Sequence, residues 1–233
     1  MRTQLLLVHS PLVGCGTWAP VAADLAADGY AVTVPDLAGT VAEGPPYLLR
    51  QAQVIAGSAA GQPAILIGHS RGGPLLATAG TMLGEGVRGY VFVDARLPEP
   101  GRSWLQTVPP GFEAWLRDMA DPQGWLPPWS HWWGEEELIA LLPDPQVRQR
   151  LAAGCPRLPM ALLEEVSPPA PGWPNAPGGY LQLSEVYDDA AAQARQLGWP
   201  VRQHPSHHLA LLTDPGPVAR ELRGLIGELT GRL

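Results

Sequence analysis

The residues from Gly68 to Gly72 have the types and spacing of a nucleophile held in a tight turn. Glycines stand two positions before and two positions after Ser70, where a sharp strand-to-helix turn leaves little room for side chains. The apolar residues 64–67 predict a buried strand before this turn, and residues 74–79 predict a helix after it. Such a turn presents the serine hydroxyl above the edge of a sheet. The segment therefore predicts a catalytic serine at position 70.

Short apolar runs alternate with helical patterns through the first hundred residues. Strands are predicted at 5–9, 30–35, 64–68 and 89–94, and helices at 21–27, 48–60 and after Ser70. Continuous apolar runs that are each followed by a helix are typical of a parallel sheet covered on both faces. The pattern predicts an α/β fold with a mostly parallel sheet of about six strands flanked by helices.

The pattern changes after the strand that ends at Asp94. Residues 99–178 contain seven of the nine tryptophans and no strand pattern, with helices predicted at 113–119, 135–142 and 146–153. The alternation then returns, with strands predicted at 179–184 and 201–203 and helices at 188–197 and 217–229. The simplest interpretation is one core formed by 1–98 and 179–233, with 99–178 inserted as a helical, tryptophan-rich lid.

Composition narrows the possible partners. A formal net charge of −7 argues against nucleic acid as a partner, because phosphate binding needs a basic surface. No apolar run approaches the roughly 18 residues of a membrane span, and the N-terminus lacks the features of a signal peptide. We expect a cytoplasmic protein that acts on a small molecule.

Cofactor and metal motifs are weak in this sequence. Cys15 and Cys155 lack metal-type spacing and are expected to be reduced thiols. His204 and His208 have H-x-x-x-H spacing, but Pro205 between them disfavours the helix that would align them. Gly14-Cys15-Gly16 is too short for a dinucleotide fingerprint. The sequence predicts neither a cofactor nor a metal.

The order of elements and motifs resembles the α/β-hydrolase fold superfamily. Besides the serine turn, the resemblance rests on His9-Ser10-Pro11, Trp18, Pro35-Asp36-Leu37 and His208-Leu209-Ala210-Leu211-Leu212. Within the superfamily, the chain is most similar to small bacterial hydrolases related to plant methyl esterases and hydroxynitrile lyases. The resemblance implies a triad of serine, histidine and an acid.

A serine hydroxyl needs a base within hydrogen-bonding reach to become a nucleophile. The resemblance places the catalytic histidine in the cluster of His204, His207 and His208. His208 matches the family's histidine loop, and His207 is the alternative. His69 adjoins the serine on a tight turn and should diverge from it, while His9 is expected to hold the loop after the first strand.

The acid has several candidates. Most relatives carry it just past the strand at 180–184, where the register falls on Val186, which cannot serve. Some relatives, including certain haloalkane dehalogenases, carry it at the strand end that Asp94 occupies here. An ionisable group that ends an apolar strand also needs a partner to offset its desolvation. We expect Asp94 to be the acid, with Glu185 and Asp188 as alternatives.

The oxyanion hole departs from the family pattern. Relatives form it from the N–H after the nucleophile, which is that of Arg71 here, and from an N–H in the loop after the first strand. The second donor falls on Pro11, which has no N–H. The Leu12 N–H or the Ser10 hydroxyl could replace it. Losing one donor typically costs about 10²–10³ in rate.

The tryptophans of 99–178 allow two interpretations. Aromatic side chains commonly form the core of such an insertion. Alternatively, Trp129, Trp132 and Trp133 line an apolar substrate pocket above the serine. His131 lies among them and could donate a hydrogen bond to a substrate.

The sequence therefore predicts a serine hydrolase that cleaves a small, largely apolar ester, thioester or lactone through an acyl-serine intermediate. Two alternatives stay open. One is a non-hydrolytic lyase or cyclase on the same fold. The presence of Pro11 where relatives have an N–H donor favours this alternative. The other is a ligand-binding module, because a fold does not dictate an activity.

Overall fold

The computed structural model describes residues 3–109 and 111–231. The strands are β1 (Gln4–Val8), β2 (Ala31–Thr33), β3 (Ala64–His69), β4 (Val87–Val93), β5 (Trp125–Leu126), β6 (Leu158–Pro159), β7 (Gly178–Gln182) and β8 (Val201–Gln203). The α-helices are α1 (Ala19–Ala27), α2 (Tyr47–Gly57), α3 (Gly72–Leu83), α4 (Phe112–Met119), α5 (Glu135–Leu141), α6 (Pro145–Gly154), α7 (Met160–Glu164), α8 (Asp188–Gln196), α9 (Ala210–Thr213) and α10 (Pro215–Thr230).

Six strands form the central sheet in the order β2-β1-β3-β4-β7-β8. Every neighbouring pair is parallel, which confirms the predicted parallel α/β sheet. The carboxyl ends of β3, β4 and β7 therefore lie at one edge of the sheet, beside the connection after β8. This edge is where a site can form in an open parallel sheet.

Two apolar layers lie on opposite faces of this sheet. Leu6 and Leu66 pack on one face with residues of α2, α3 and α8. Leu5 and Ile65 pack on the other face with residues of α1 and α10. Consecutive strand residues point to opposite faces of the sheet. Since both faces are covered, residues of either orientation are apolar, and the strands appear in the sequence as continuous apolar runs.

Residues between β4 and β7 form α4 to α7 and a short antiparallel pair, β5 with β6. The prediction that this segment contains no strand was wrong, because two-residue strands are too short to produce an alternating pattern.

Apolar side chains of the segment pack with Leu12 and Val13 from the loop after β1. Glu165 accepts hydrogen bonds from the N–H groups of Tyr47 (2.7 Å) and Leu48 (2.9 Å) at the start of α2. The lid boundaries at 99 and 178 stay a prediction.

Within the two described stretches, none of the helices combines the length and the apolar character needed to cross a lipid bilayer.

Backbone segments approach each other closely around the turn between β3 and α3. A Cβ on Gly72 would lie 2.4 Å from the Val8 carbonyl oxygen and 2.9 Å from that of His9. A Cβ on Gly68 would lie 2.8 Å from the Gly72 carbonyl oxygen. All three contacts involve backbone oxygens, which cannot rotate away as a side chain can, so glycine is required at both positions.

We expect Gly72→Ala to lower the free energy of unfolding by about 1–3 kcal/mol, the usual cost of an overpacked site. Thermal unfolding followed by circular dichroism should then show a Tm lower by about 2–12 °C for a chain of this size. Gly227→Ala is the matched control, because that glycine lies within α10 and a Cβ there meets no atom of the described residues within 4 Å. An unchanged Tm for Gly72→Ala would show that the turn accommodates a side chain.

Candidate active site

Ser70 lies at the junction of β3 and α3. Its φ of 55° is in the left-handed region, which residues other than glycine rarely adopt. Its N–H donates to the Val93 carbonyl oxygen (3.2 Å), so the turn stays attached to the neighbouring strand. The side chain is half-buried and lines a cavity of about 720 Å³. This is the geometry that the glycine spacing predicts.

Asp94 follows the last residue of β4 and is completely buried. Its φ of 43° is also in the left-handed region. One carboxylate oxygen accepts hydrogen bonds from the N–H groups of Leu183 (2.8 Å) and Ser184 (2.9 Å). The other accepts the Ser184 hydroxyl at 2.6 Å. A buried carboxylate with this many donors is held in one orientation.

His208 lies between β8 and α9, and its Nδ1–H donates to Asp94 Oδ2 at 2.9 Å. Burial alone would raise the pKa of Asp94, but the hydrogen bonds from His208, Ser184 and Leu183 outweigh it and lower this pKa. Asp94 is therefore the acceptor in the pair. His208 and Ser70 line the same cavity.

The four other histidines considered from the sequence have different partners. His69 Nε2–H donates to the His208 carbonyl oxygen (2.9 Å), and burial, followed by the proximity of His208, lowers the pKa of His69 to about 3. His204 Nε2–H donates to Asp214 (2.6 Å), and His207 Nε2–H donates to Thr213 (2.9 Å).

His9 holds the loop after β1, as predicted. Its Nδ1–H donates to the Ser10 carbonyl oxygen at 2.8 Å, and its Nε2 accepts the Leu37 N–H at 3.1 Å. The ring therefore joins the loops that follow β1 and β2. Burial lowers the pKa of His9, which favours the neutral ring that this pair of bonds requires.

The alternative acids do not meet His208. Asp188 accepts a hydrogen bond from the Gln182 side-chain amide, and Glu185 is exposed. Val186, at the position where most relatives carry the acid, is 82 % exposed. Of the three carboxylates considered, the one that contacts the histidine is Asp94.

The loop after β1 uses several of its own N–H groups. Ser10 is buried, and its hydroxyl accepts the Leu12 N–H at 3.3 Å. Its carbonyl oxygen accepts the N–H groups of Val13 (3.1 Å) and Gly14 (3.3 Å). Arg71 immediately precedes α3, where N–H groups lack partners within the helix. Of the predicted oxyanion groups, the Arg71 N–H is thus available, whereas the Leu12 N–H is directed at Ser10.

Aromatic side chains form one wall of the cavity. Trp129, Trp132 and Trp133 all line it, and the rings of Trp129 and Trp133 meet edge to face with centroids 5.7 Å apart. Trp115 links Trp132 and Trp133 at 6.0 and 5.9 Å. The tryptophans therefore form both a packed cluster and a cavity wall. His131 is exposed and is not among the lining residues, so its predicted contact with a substrate has no support in this geometry.

Sequence reasoning missed Tyr187. Its ring stacks on that of His208, with centroids 5.2 Å apart and planes at 14°, and it lines the cavity. Burial raises the pKa of Tyr187 to about 12, while the adjacent Ser70 hydroxyl acts to lower it. The phenol is therefore neutral near pH 7 and can donate a hydrogen bond. Tyr187 stands in a short, mostly polar segment, residues 184–189, which has no motif or periodicity that would indicate a functional residue.

Solved structures share this fold over nearly the whole chain. An extracellular alpha/beta-hydrolase from a Paenibacillus species, described as homologous to tobacco Salicylic Acid Binding Protein 2, has a TM-score of 0.76 and 19% identity, covering 98% of this chain and 99% of that one. A pyrethroid hydrolase from Sphingobium faniae JZ-2 has a TM-score of 0.71 and 21% identity, with coverage of 96% and 97%. Tomato methylketone synthase I has a TM-score of 0.72 and 16% identity, with coverage of 98% and 99%.

No curated protein sequence shows significant similarity to this chain. The model of the alpha/beta hydrolase family, in contrast, matches residues 5–221. This match includes the serine turn, the strand end at Asp94 and the histidine loop. The chain therefore belongs to the alpha/beta hydrolase family.

Proposed function

We propose that this protein is a serine hydrolase that cleaves a small, largely apolar carboxylic ester, thioester or lactone. The observation that carries the proposal is the buried hydrogen bond between His208 and Asp94, made beside the cavity that both His208 and Ser70 line. A histidine held in this way presents its second ring nitrogen as a base.

The proposed reaction gives each of these three side chains a role. Ser70 attacks the carbonyl carbon, and His208 takes the hydroxyl proton and then gives it to the leaving group. Asp94 keeps the proton on Nδ1 of His208 and stabilises the imidazolium that forms. Water then attacks the acyl-Ser70 ester with His208 again as the base, and the released acid leaves the cavity.

The cavity supports the substrate class. A volume of about 720 Å³ is within the range of small-molecule sites, and its tryptophan wall favours an apolar group. Among proteins of the same fold, one is a pyrethroid hydrolase and another is polyneuridine aldehyde esterase. Their names agree with hydrolysis as the chemistry of this site.

Tyr187 is suited to assist the leaving group. The sheet order places β1, with residues 9–14 that follow it (the proposed oxyanion loop), on one side of β3, and β4 and β7 on the other. Tyr187 follows β7, so it approaches Ser70 from the side opposite the oxyanion loop. Its neutral hydroxyl is therefore placed to donate a hydrogen bond to the leaving oxygen, while its ring keeps His208 in position.

A second candidate is a non-hydrolytic lyase or cyclase. The observation that favours it is the loop after β1, where Pro11 has no N–H and the Leu12 N–H is bonded to Ser10. A reaction without a tetrahedral oxyanion would need fewer donors there. Methylketone synthase I, which has the same fold, is a protein whose name indicates chemistry other than ester hydrolysis. Efficient turnover of simple esters would exclude this candidate.

The first test is covalent labelling with a fluorophosphonate, read by intact mass and peptide mapping. We expect a single adduct on Ser70 and hydrolysis of p-nitrophenyl esters, both lost in Ser70→Ala with a fall in kcat of at least about 10⁴-fold. Ser206→Ala is the matched control, since Ser206 is an exposed serine near the histidine loop. Wild-type protein with neither an adduct nor turnover would exclude the proposal, and tight ligand binding without chemistry would indicate a binding module.

The second test compares Asp94→Asn with Asp188→Asn. We expect Asp94→Asn to lower kcat by about 10³–10⁴-fold, because an amide cannot fix the histidine tautomer as a carboxylate does. Asp188→Asn should change kcat by less than about threefold, since Asp188 bonds Gln182 rather than His208. Circular dichroism controls for folding. The reverse ranking of the two variants would assign the acid to Asp188.

The third test uses Tyr187→Phe with two kinds of leaving group. Loss of a hydrogen bond to the leaving oxygen should lower kcat about tenfold for alkyl esters, which corresponds to about 1.4 kcal/mol. p-Nitrophenolate departs without a donor, so kcat for p-nitrophenyl esters should change little. An equal loss with both substrates would show that the Tyr187 hydroxyl does not act on the leaving oxygen.

A further inference from the structure

Arg71 is a buried residue whose side chain makes no hydrogen bond to any residue that the structure describes. The residue is 8 % exposed, and its Nε is buried without an acceptor. Within residues 3–109 and 111–231, Arg71 forms no salt bridge within 4.0 Å. Burial lowers the pKa of Arg71 to about 9, so the group is still charged near pH 7. An unpaired buried charge is costly and requires a partner.

The neighbours of Arg71 offset its charge only in part. The guanidinium carbon lies 4.9 Å from the centre of the Trp104 ring, a cation–π contact. Glu165 is near enough to act on its pKa, but both Glu165 oxygens accept backbone N–H groups at the start of α2. Neither neighbour accepts a hydrogen bond from the guanidinium.

Arg71 lines a side pocket that adjoins the main cavity. Arg71, Pro74, Arg96 and Trp104 line both spaces. Arg96 is half-buried and has no salt bridge with any described residue. The side pocket also contains Glu99, whose carboxylate is paired with Arg102. This pocket therefore has an excess of positive charge.

The acidic residues of the main cavity lie elsewhere. Glu137 and Asp189 line that cavity, and both are exposed. The Glu137 carboxylate accepts the Gly134 N–H and caps α5, while Asp189 lies in the first turn of α8. Neither residue lines the side pocket, so neither carboxylate neutralises the positive charge of Arg71 there.

We infer that the substrate carries a carboxylate, which Arg71 and Arg96 bind in the side pocket while the reactive carbonyl lies at Ser70. The planar guanidinium matches the two oxygens of a carboxylate and binds them strongly when water is excluded. The substrate is then the monoester of a dicarboxylic acid or a comparable thioester or lactone acid, apolar along its chain and charged at one end. This inference rests on the proposed function for the position of the reactive carbonyl.

Binding to the Ser70→Ala protein tests this inference without turnover. The probes are the monomethyl esters of linear dicarboxylic acids with four to eight carbons, each compared with its primary amide by isothermal titration calorimetry. We expect the acid to bind at least about tenfold more tightly than the amide for one or more chain lengths. Adding Arg71→Gln should bring the two affinities within about twofold, and adding Arg96→Gln should reduce the preference by about threefold or more.

Arg195→Gln, which changes an exposed arginine of α8, is the matched control and should leave the preference unchanged. A purely structural role for Arg71 would alter the Tm without altering the ratio of acid to amide affinity. Equal affinities at every chain length, undetectable binding of every acid, or a preference that survives Arg71→Gln would overturn the inference. Fluorophosphonate labelling of the wild type reports separately on the proposed function, so the two can fail independently.

Discussion

The hydrogen bond between His208 and Asp94 depends on a carboxylate that is completely removed from water. A buried charge of this kind is stable only when its lone pairs are taken by donors. Here the donors follow the next two strands of the sheet: two N–H groups and a hydroxyl follow β7, and the imidazole follows β8. One side chain therefore fixes the relative positions of three strand ends, and the orientation of the imidazole follows from that.

Strained backbone at two strand ends places the site at this edge of the sheet. Ser70 and Asp94 both have positive φ, a conformation that persists only when its surroundings enforce it. Around Ser70, the close approach of Gly68 and Gly72 to neighbouring backbone provides that constraint. After Asp94, the Tyr180 hydroxyl donates to the Ala95 carbonyl oxygen at 2.8 Å and accepts the Ala95 N–H at 3.1 Å. Each of the two positive-φ residues is thus adjacent to the contacts or hydrogen bonds that hold its backbone in that conformation.

The sequence was sufficient where the signal was local. The glycine spacing around Ser70 and the apolar runs of the sheet predicted the turn and the parallel fold, and desolvation of a strand-end carboxylate pointed to Asp94. Features formed by residues distant in the chain could not be found in this way. Tyr187 meets His208 across 21 positions, and the Arg71 guanidinium meets the Trp104 ring across 33 positions, so neither contact leaves a periodic or spaced pattern. The two-residue strands β5 and β6 fall below the length at which alternation can be recognised.

The position of Asp94, the proposed acid, also determines what the loop after β7 can do. In the relatives that the sequence resembles, this loop commonly carries the acid; here Val186 occupies that position and is exposed. Because Asp94 approaches His208 from β4, the loop contributes the Ser184 hydroxyl and backbone N–H groups to the carboxylate instead. Tyr187, a half-buried residue of the same loop, is then free to stack on the imidazole. Tyr187 thus places a neutral hydrogen-bond donor beside Ser70, where a second carboxylate would repel the alkoxide of the proposed reaction.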